Sequence, residues 1–321
     1  MLKIPSHKSK SSDDESVVNK LTRLSAGWNA LFMVILIVTA LIVIVPVALV
    51  VIISFTSQTS INSKGYSFFP SAWSLAGYAA VFKMGTALWQ SYLVTIFYSV
   101  AGTVISLVFM TTFAYVLAQK QFFLRKALTW YLFFTMLFSG GLVPAYILNV
   151  RYLQLNNTIW IFLLFNTVNA FYVIILRTFI KTTVPDSVFE AAKIDGAGHF
   201  TIFARILLPL FKAPIATIAL FSMVARWNEW FTGMLYIDAS GSTAKLVPLQ
   251  TVLIQLQNKM DFLTNNSLFA STPDGINMAK NLPTDSMRMA CTIIVILPIV
   301  FAYPFFQRFF VSGLTIGSIK E

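Results

Sequence analysis

Cysteine, histidine and charge are what this chain has least of. Cys291 is the one cysteine, so no disulfide can close within the chain, and nothing about redox compartment follows from it. The two histidines, His7 and His199, stand apart from carboxylates or cysteine at metal-ligand spacing, which excludes a histidine-based metal centre. There is no Gly-Lys dipeptide, hence no G-x-x-x-x-G-K-S/T loop to cradle a nucleotide phosphate. G-x-S-x-G and H-E-x-x-H are missing as well. Only 11% of the residues are charged, where soluble domains carry about a quarter. An enzyme or a nucleotide-hydrolysing chain is not what these residues describe, and no cofactor or metal is expected on the chain itself.

What is present is apolar: 57% of the 321 residues are hydrophobic. Six stretches are long enough to cross about 30 Å of hydrocarbon as helices, at roughly 28–55, 88–118, 128–150, 158–180, 212–236 and 289–311. The fold class read from them is all-α, a polytopic membrane protein with six transmembrane helices. Within the third, Ser139, Gly140, Gly141 and Pro144 favour close helix approach and a kink. Residues 56–87 read as turns with a surface-lying helix. GLTIG at 313–317 falls beyond the last span, so it is no dimerisation face. The polar tail 1–27 is longer than the charged lead of a cleavable signal and shows no small-residue cleavage site.

The net charge of +11 does not point to nucleic acid, because the basic residues are spread among the loops and no basic patch interleaves with aromatics. Placing the N-terminus inside puts fifteen Lys and Arg residues on the cytoplasmic side against seven outside, and four of those seven lie in the long loop 237–288. Positive-inside bias therefore sets both termini on the cytoplasmic side of the membrane.

Residues 185–209 form the polar interval around which the chain is organised. Ser187 and Glu190 have capping-box spacing, and Gly196 and Gly198 supply a helix stop and a reversal. A second helix carrying Phe200, Phe203, Ile206 and Leu207 on one side is expected to end at Pro209. With a small-residue face at Ala191 and Ala192, the unit is a compact knob suited to a groove on a partner.

Glu190-Ala191-Ala192, Gly196, Ile206 and Leu208-Pro209 also resemble the EAA loop of ABC-importer permeases at every signature position. FSGGLVPAYIL, ARWNEW, LVPLQTVL and the tail YPFFQRFFVSGLTIGSIKE extend the likeness to the carbohydrate-uptake branch, MalG-like and more narrowly LplC-type, associated with complex oligosaccharides. The resemblance implies a type I permease fold and a subunit that couples ATP hydrolysis by a partner to alternating access. It implies a second permease subunit, a dimer of ATPase subunits that binds ATP and Mg, an extracytoplasmic solute-binding protein and surrounding membrane lipid. Glu190, Ala191, Ala192, Asp195, Gly196, Ile206 and Pro209 would then be the ATPase-coupling residues. A type I permease for another solute shares the EAA loop but should lack the sugar-branch strings; a secondary transporter would show inverted repeats, and none is visible.

One charged cluster falls inside a span. Arg226, Trp227, Asn228 and Glu229 sit about 21 to 27 Å along a helix counted from Lys212. Charges at such depth pair or face a polar cavity. Two readings stay open: a substrate path or gate, or a self-paired Arg226–Glu229 beside an interfacial aromatic belt. The loop 237–288 likewise reads either as a surface touching the binding protein or as a solvated linker.

Overall fold

The computed structural model describes residues 25–83, 85–280 and 285–317. Of the tail expected at 1–27, residues 1–24 lie outside that description, as do the last four residues of the chain. The described residues form helices and no strand, with a single isolated bridge between Thr56 and Trp73. A chain this apolar satisfies its backbone within helices because lipid offers no partner for a free N–H or C=O.

Three helices are long and apolar enough to cross a membrane alone. These are α1 (Ala26–Ser54), α4 (Thr86–Ala118) and, at the C-terminal end, α16 (Asp285–Gly317). Between α1 and α4 lie α2 (Gln58–Lys64) and α3 (Ala76–Lys83), two short helices where one was expected. α16 runs six residues past the expected end, so GLTIG forms its last turns. The apolar window of α1 is wholly exposed, whereas 39% of that of α4 is buried. α1 is therefore a peripheral helix and α4 the central one.

The other three expected spans are interrupted. The third divides into α5 (Arg125–Leu137) and α6 (Leu142–Ile147, continued by a π-helical turn to Tyr152), bent by 114°. The kink expected at Ser139–Pro144 is there, with Gly141 at φ +87°. No other helix of this chain comes close there: Gly140 and Gly141 lie in an exposed bend. The fourth divides into α7 (Trp160–Leu164) and α8 (Ala170–Thr183), parted by residues 165–169. The fifth divides into α11 (Lys212–Trp227) and α12 (Phe231–Tyr236). Ahead of α11, α9 (Asp186–Ile194) and α10 (His199–Leu210, with a π-helical centre) make the knob, and α10 meets α11 at 81°.

Residues 237–288, expected as a loop, are mostly folded. A 3-10 turn (Gly241–Leu246) leads into α13 (Leu249–Asn265), followed by α14 (Ser267–Ala270) and α15 (Pro273–Lys280). The start of α13 is inside the bundle, with Val247, Leu249 and Thr251 buried and the Leu249 N–H donated to Thr95 Oγ1 at 2.9 Å. Lys259, Asp261, Asp274 and Lys280 argue for water and make the interval read as a loop; the apolar N-terminal turn of α13 anchors it.

α4 packs against α11 and α13 along a stripe of small hydroxyls, and against α8 further on, at Met110, Ala114 and Leu117. Ser91, Thr95, Ser99, Thr103 and Ser106 recur every three or four residues, and all are buried. That spacing places them on one helix face, where small side chains let backbones come close. Thr95 and Ser106 are hydrogen-bonded to neighbouring elements. Ser99 Oγ and Thr103 Oγ1, between them, have no hydrogen-bond partner.

Candidate functional site

The breaks in the fourth and fifth spans meet at one cavity of about 380 Å³. Its walls come from α4 (Tyr98, Ser106), the irregular segment 165–169, Tyr172 of α8, and Arg226, Glu229 and Thr232 around the end of α11. Irregular backbone at membrane depth is tolerated where it lines a polar space, and here it does. Asn166 adopts φ +54° within the break, and Asn169 caps α8 by accepting the Tyr172 N–H at 3.2 Å.

Arg226 is half-buried and fixed. One terminal nitrogen donates to the carbonyl of Phe162 at 2.5 Å, the other to Ser106 Oγ at 2.7 Å. Its own carbonyl accepts the Tyr98 hydroxyl at 3.0 Å. A Cβ on Gly102 would stand 2.6 Å from the Arg226 Nη1, so a side chain at 102 would have to push the guanidinium off α4. Tyr98 stacks on Phe162 with centroids 4.8 Å apart, completing a clamp in which α4, α7 and α11 all hold one side chain.

The self-paired reading fails, because Glu229 accepts the N–H of Thr232 at 2.9 Å, in the first turn of α12, where a carboxylate meets the positive end of the helix. Arg226 and Glu229 both line the cavity; the other two members of the cluster do not. Trp227 is buried against α16, donating its indole N–H to Val295 O at 3.1 Å and meeting Tyr92 edge-on at 6.0 Å. Asn228 is exposed, hydrogen-bonded to the Val224 carbonyl at 3.0 Å. Consecutive residues at the end of a helix point to different sides, so the string ARWNEW could not place all four on one wall.

At the far end of α4 stands the knob. α9 begins one residue earlier than expected: Pro185 is its N-cap, Asp186 its first residue, and no side chain accepts a capping bond. The Ser187–Glu190 capping box is therefore not formed. Asp186 instead pairs with Lys120 across the groove to α4 and sits at the positive end of the helix dipole. The stop is a Schellman motif: Gly196 at φ +79° donates its N–H to Lys193 O at 3.0 Å, and Ala197 donates to Ala192 O at 2.9 Å. Gly198 has φ −72°, so glycine's freedom is used at Gly196 alone.

Ala192 is buried in the cluster formed by Ile202, Leu207 and Phe211 with Met110 and Tyr115 of α4. Glu190, Ala191, Asp195 and Gly196 are exposed. Ile206 is half-buried against the same cluster. Pro209 is exposed and lies within α10, which continues one residue beyond it before turning at Phe211. Phe200 does not share a face with Ile206 and Leu207: it is 81% exposed, beside Ile194 at 86%. Phe200 and Ile194 leave two bare apolar side chains flanking the Gly196 turn, where the sequence pattern had put Phe200 on one side with Phe203, Ile206 and Leu207. Tyr115 ties the knob to the bundle, its hydroxyl 3.2 Å from His199 Nδ1 and its ring against Phe203 at 5.4 Å.

A bundle of interrupted membrane helices enclosing a polar cavity, with a helical docking element at one end of its central helix, is the architecture of a transport permease. The family model described as binding-protein-dependent transport system inner membrane component matches residues 103–316, and the chain belongs to that family. It is 37% identical over 280 residues to Protein LplC of Bacillus subtilis (strain 168), covering 87% of this chain and 90% of the relative. It is 33% identical over 285 residues to the polygalacturonan/rhamnogalacturonan transport system permease protein YtcP of the same organism, covering 89% and 95%. A bacterial ABC transporter involved in import of the acidic polysaccharide alginate contains a chain that superposes with TM-score 0.74 at 29% identity, covering 90% of this chain and 99% of that one. The all-α type I importer-permease fold is thereby established for this inner-membrane component.

Proposed function

We propose that this chain is one of two permease subunits of an ATP-driven importer for sugars, complex oligosaccharides in particular. The observation that carries the reading is the joining of a polar cavity and an exposed knob by one unbroken helix, α4. The names of the relatives, which transport polygalacturonan, rhamnogalacturonan and alginate, supply the substrate class. The cavity's hydroxyls, amides and aromatic rings suit a polyhydroxylated chain, which needs many hydrogen bonds and a flat apolar face to stack on.

In this reading Glu190, Ala191, Asp195 and Gly196, with Ile194 and Phe200, sit in a cleft of a partner ATPase subunit, and both termini face the cytoplasm. Closure of the ATPase pair around ATP and Mg draws the two knobs of a permease pair together. The spans then switch as rigid bodies from inward- to outward-facing, biased by a ligand that prefers one state. A binding protein presents substrate at the opposite end, where residues 237–248 and α13 lie. Arg226 and Glu229 shape the path.

The test is to tag this chain, purify it from its native membrane in mild detergent, and identify its companions by mass spectrometry. Recovery with an ATPase subunit, a second permease and a binding protein that retains an oligosaccharide supports the reading. A binding protein loaded with a non-sugar solute would overturn the substrate class. Recovery of an active homo-oligomer alone would overturn the importer itself and favour a secondary transporter.

A further inference from the structure

A second pocket, of about 410 Å³, opens beside the knob end of the bundle between α5 and α8. It is lined by Arg125, Lys126, Thr129, Trp130, Phe133 and Arg177. Three of the six carry positive charge, and among the described residues none of the three pairs with a carboxylate. Arg177 donates its Nε–H to the Leu117 carbonyl at 3.2 Å, which holds the side chain against α4 where it lines the pocket. Arg125 and Arg177 are close enough to repel each other, and Lys181 adds to the same field. Holding cations together without an internal counter-charge raises the free energy of the folded chain unless an anion arrives from outside.

The pocket also has a direction. From Trp130 the exposed face of α5 continues through Phe134 to Leu137, with exposures of 75%, 57% and 77%. These positions recur at helical spacing, so they form one apolar track leading away from the cations. From Arg125 to Leu137 the helix spans about 18 Å, close to the roughly 15 Å of one lipid monolayer's hydrocarbon. A soluble anion has no use for such a track, and an acidic protein surface would leave it bare. An amphipathic anion with acyl chains matches both parts.

We propose that Arg125, Lys126 and Arg177 form a binding site for the phosphate headgroup of an anionic phospholipid, with its acyl chain laid along Trp130, Phe134 and Leu137. Basic pockets between membrane helices take such headgroups because the charges meet in a medium that screens them weakly. The site flanks the cytoplasmic ends of α4 and α8, the helices that carry the knob. The lipid would thus be a structural neighbour of the coupling element without touching it.

The test uses the assembled transporter in nanodiscs of phosphatidylglycerol or of phosphatidylcholine, followed by native mass spectrometry of the lipids that stay bound on release. The wild-type complex should retain phosphatidylglycerol selectively. Arg125→Gln with Lys126→Gln should lower that retention on the order of tenfold, while Lys245→Gln, an exposed cation elsewhere, should not. Equal retention of the two lipids by the wild type would overturn the proposal, a comparison that needs no variant to fold. So would unchanged retention in the double variant, or displacement of the lipid by inorganic phosphate alone, which would make it a simple phosphate site. A crosslink from position 126 to the second permease or to the ATPase would show a protein in the groove and overturn it equally.

Discussion

The knob and the cavity are built in opposite ways. Every residue of the knob's turn lies within 186–210, and its shape comes from a local device, the Schellman stop at Gly196, over a patch of core. The cavity clamp draws on Tyr98, Gly102, Ser106, Phe162 and Arg226, and no two helices of the three are adjacent in sequence. One is a local structure displayed outward, the other a long-range assembly closed inward. Damage to the first should alter what the chain does to its partners; damage to the second should alter whether the bundle holds its shape.

The largest effect is expected from Gly102→Leu. Its Cβ would fall 2.6 Å from the Arg226 guanidinium, expelling it from Phe162 and Ser106. Two buried acceptors left without their donor cost about 1–3 kcal/mol each. The thermal midpoint of the purified complex should drop sharply, and transport with it; an unshifted midpoint would show that the clamp is not structural. Gly196→Asp comes next and should separate the two regions. A non-glycine residue at φ +79° costs about 1–2 kcal/mol, confined to an exposed turn. Insertion should survive while substrate-stimulated hydrolysis by the partner ATPase falls, and normal stimulation would contradict the coupling role.

Tyr115→Phe removes the 3.2 Å bond to His199 and leaves the ring contacts in place. A loss of about 0.5–1.5 kcal/mol should loosen α10 alone, visible as faster amide hydrogen exchange in 199–207 and nowhere near the cavity. Lys120→Gln should do least. Its ion pair with Asp186 joins side chains 71% and 58% exposed, and such pairs contribute about 0–1 kcal/mol. A larger loss of stability would mean that the groove between α4 and α9 is covered in the assembled transporter.

The same contrast explains what could be read in the sequence. The knob's glycine stop, its helices and its exposed Glu190 and Gly196 follow from spacing, since the forces that shape them act over a few residues. The capping box was misassigned because the helix starts at Asp186 behind Pro185, which puts Ser187 inside the first turn rather than at the cap. Phe200 was misassigned because periodicity tells that a face is apolar but not which neighbour covers it. The apolar segments of the bundle were visible from length alone. Their interruptions at 165–169 and 228–230 were not, because Asn166, Asn169 and Asn228 break helices only weakly by propensity, and the contacts around the breaks are the long-range bonds of Arg226 to Phe162 and Ser106 and the local bond of Glu229 to Thr232. The split of residues 226–229 into two cavity residues, one core residue and one exposed residue needed the helix end in view. Residues 237–288 hid a helix because its polar outer face carried more of the pattern than its two or three anchoring residues.

The small-hydroxyl stripe on α4 gives that helix an unusual bearing surface. Large interlocked side chains make neighbouring helices move as one or not at all, since each must leave its hole before the next can be entered. Serine and threonine offer shallow relief, and Ser99 and Thr103, lacking partners in this arrangement, have hydrogen bonds still to gain in another. A shift of α11 or α13 along α4 would have to break the Arg226–Ser106 and Leu249–Thr95 bonds, so this face is latched at Thr95 and Ser106 and smooth between them.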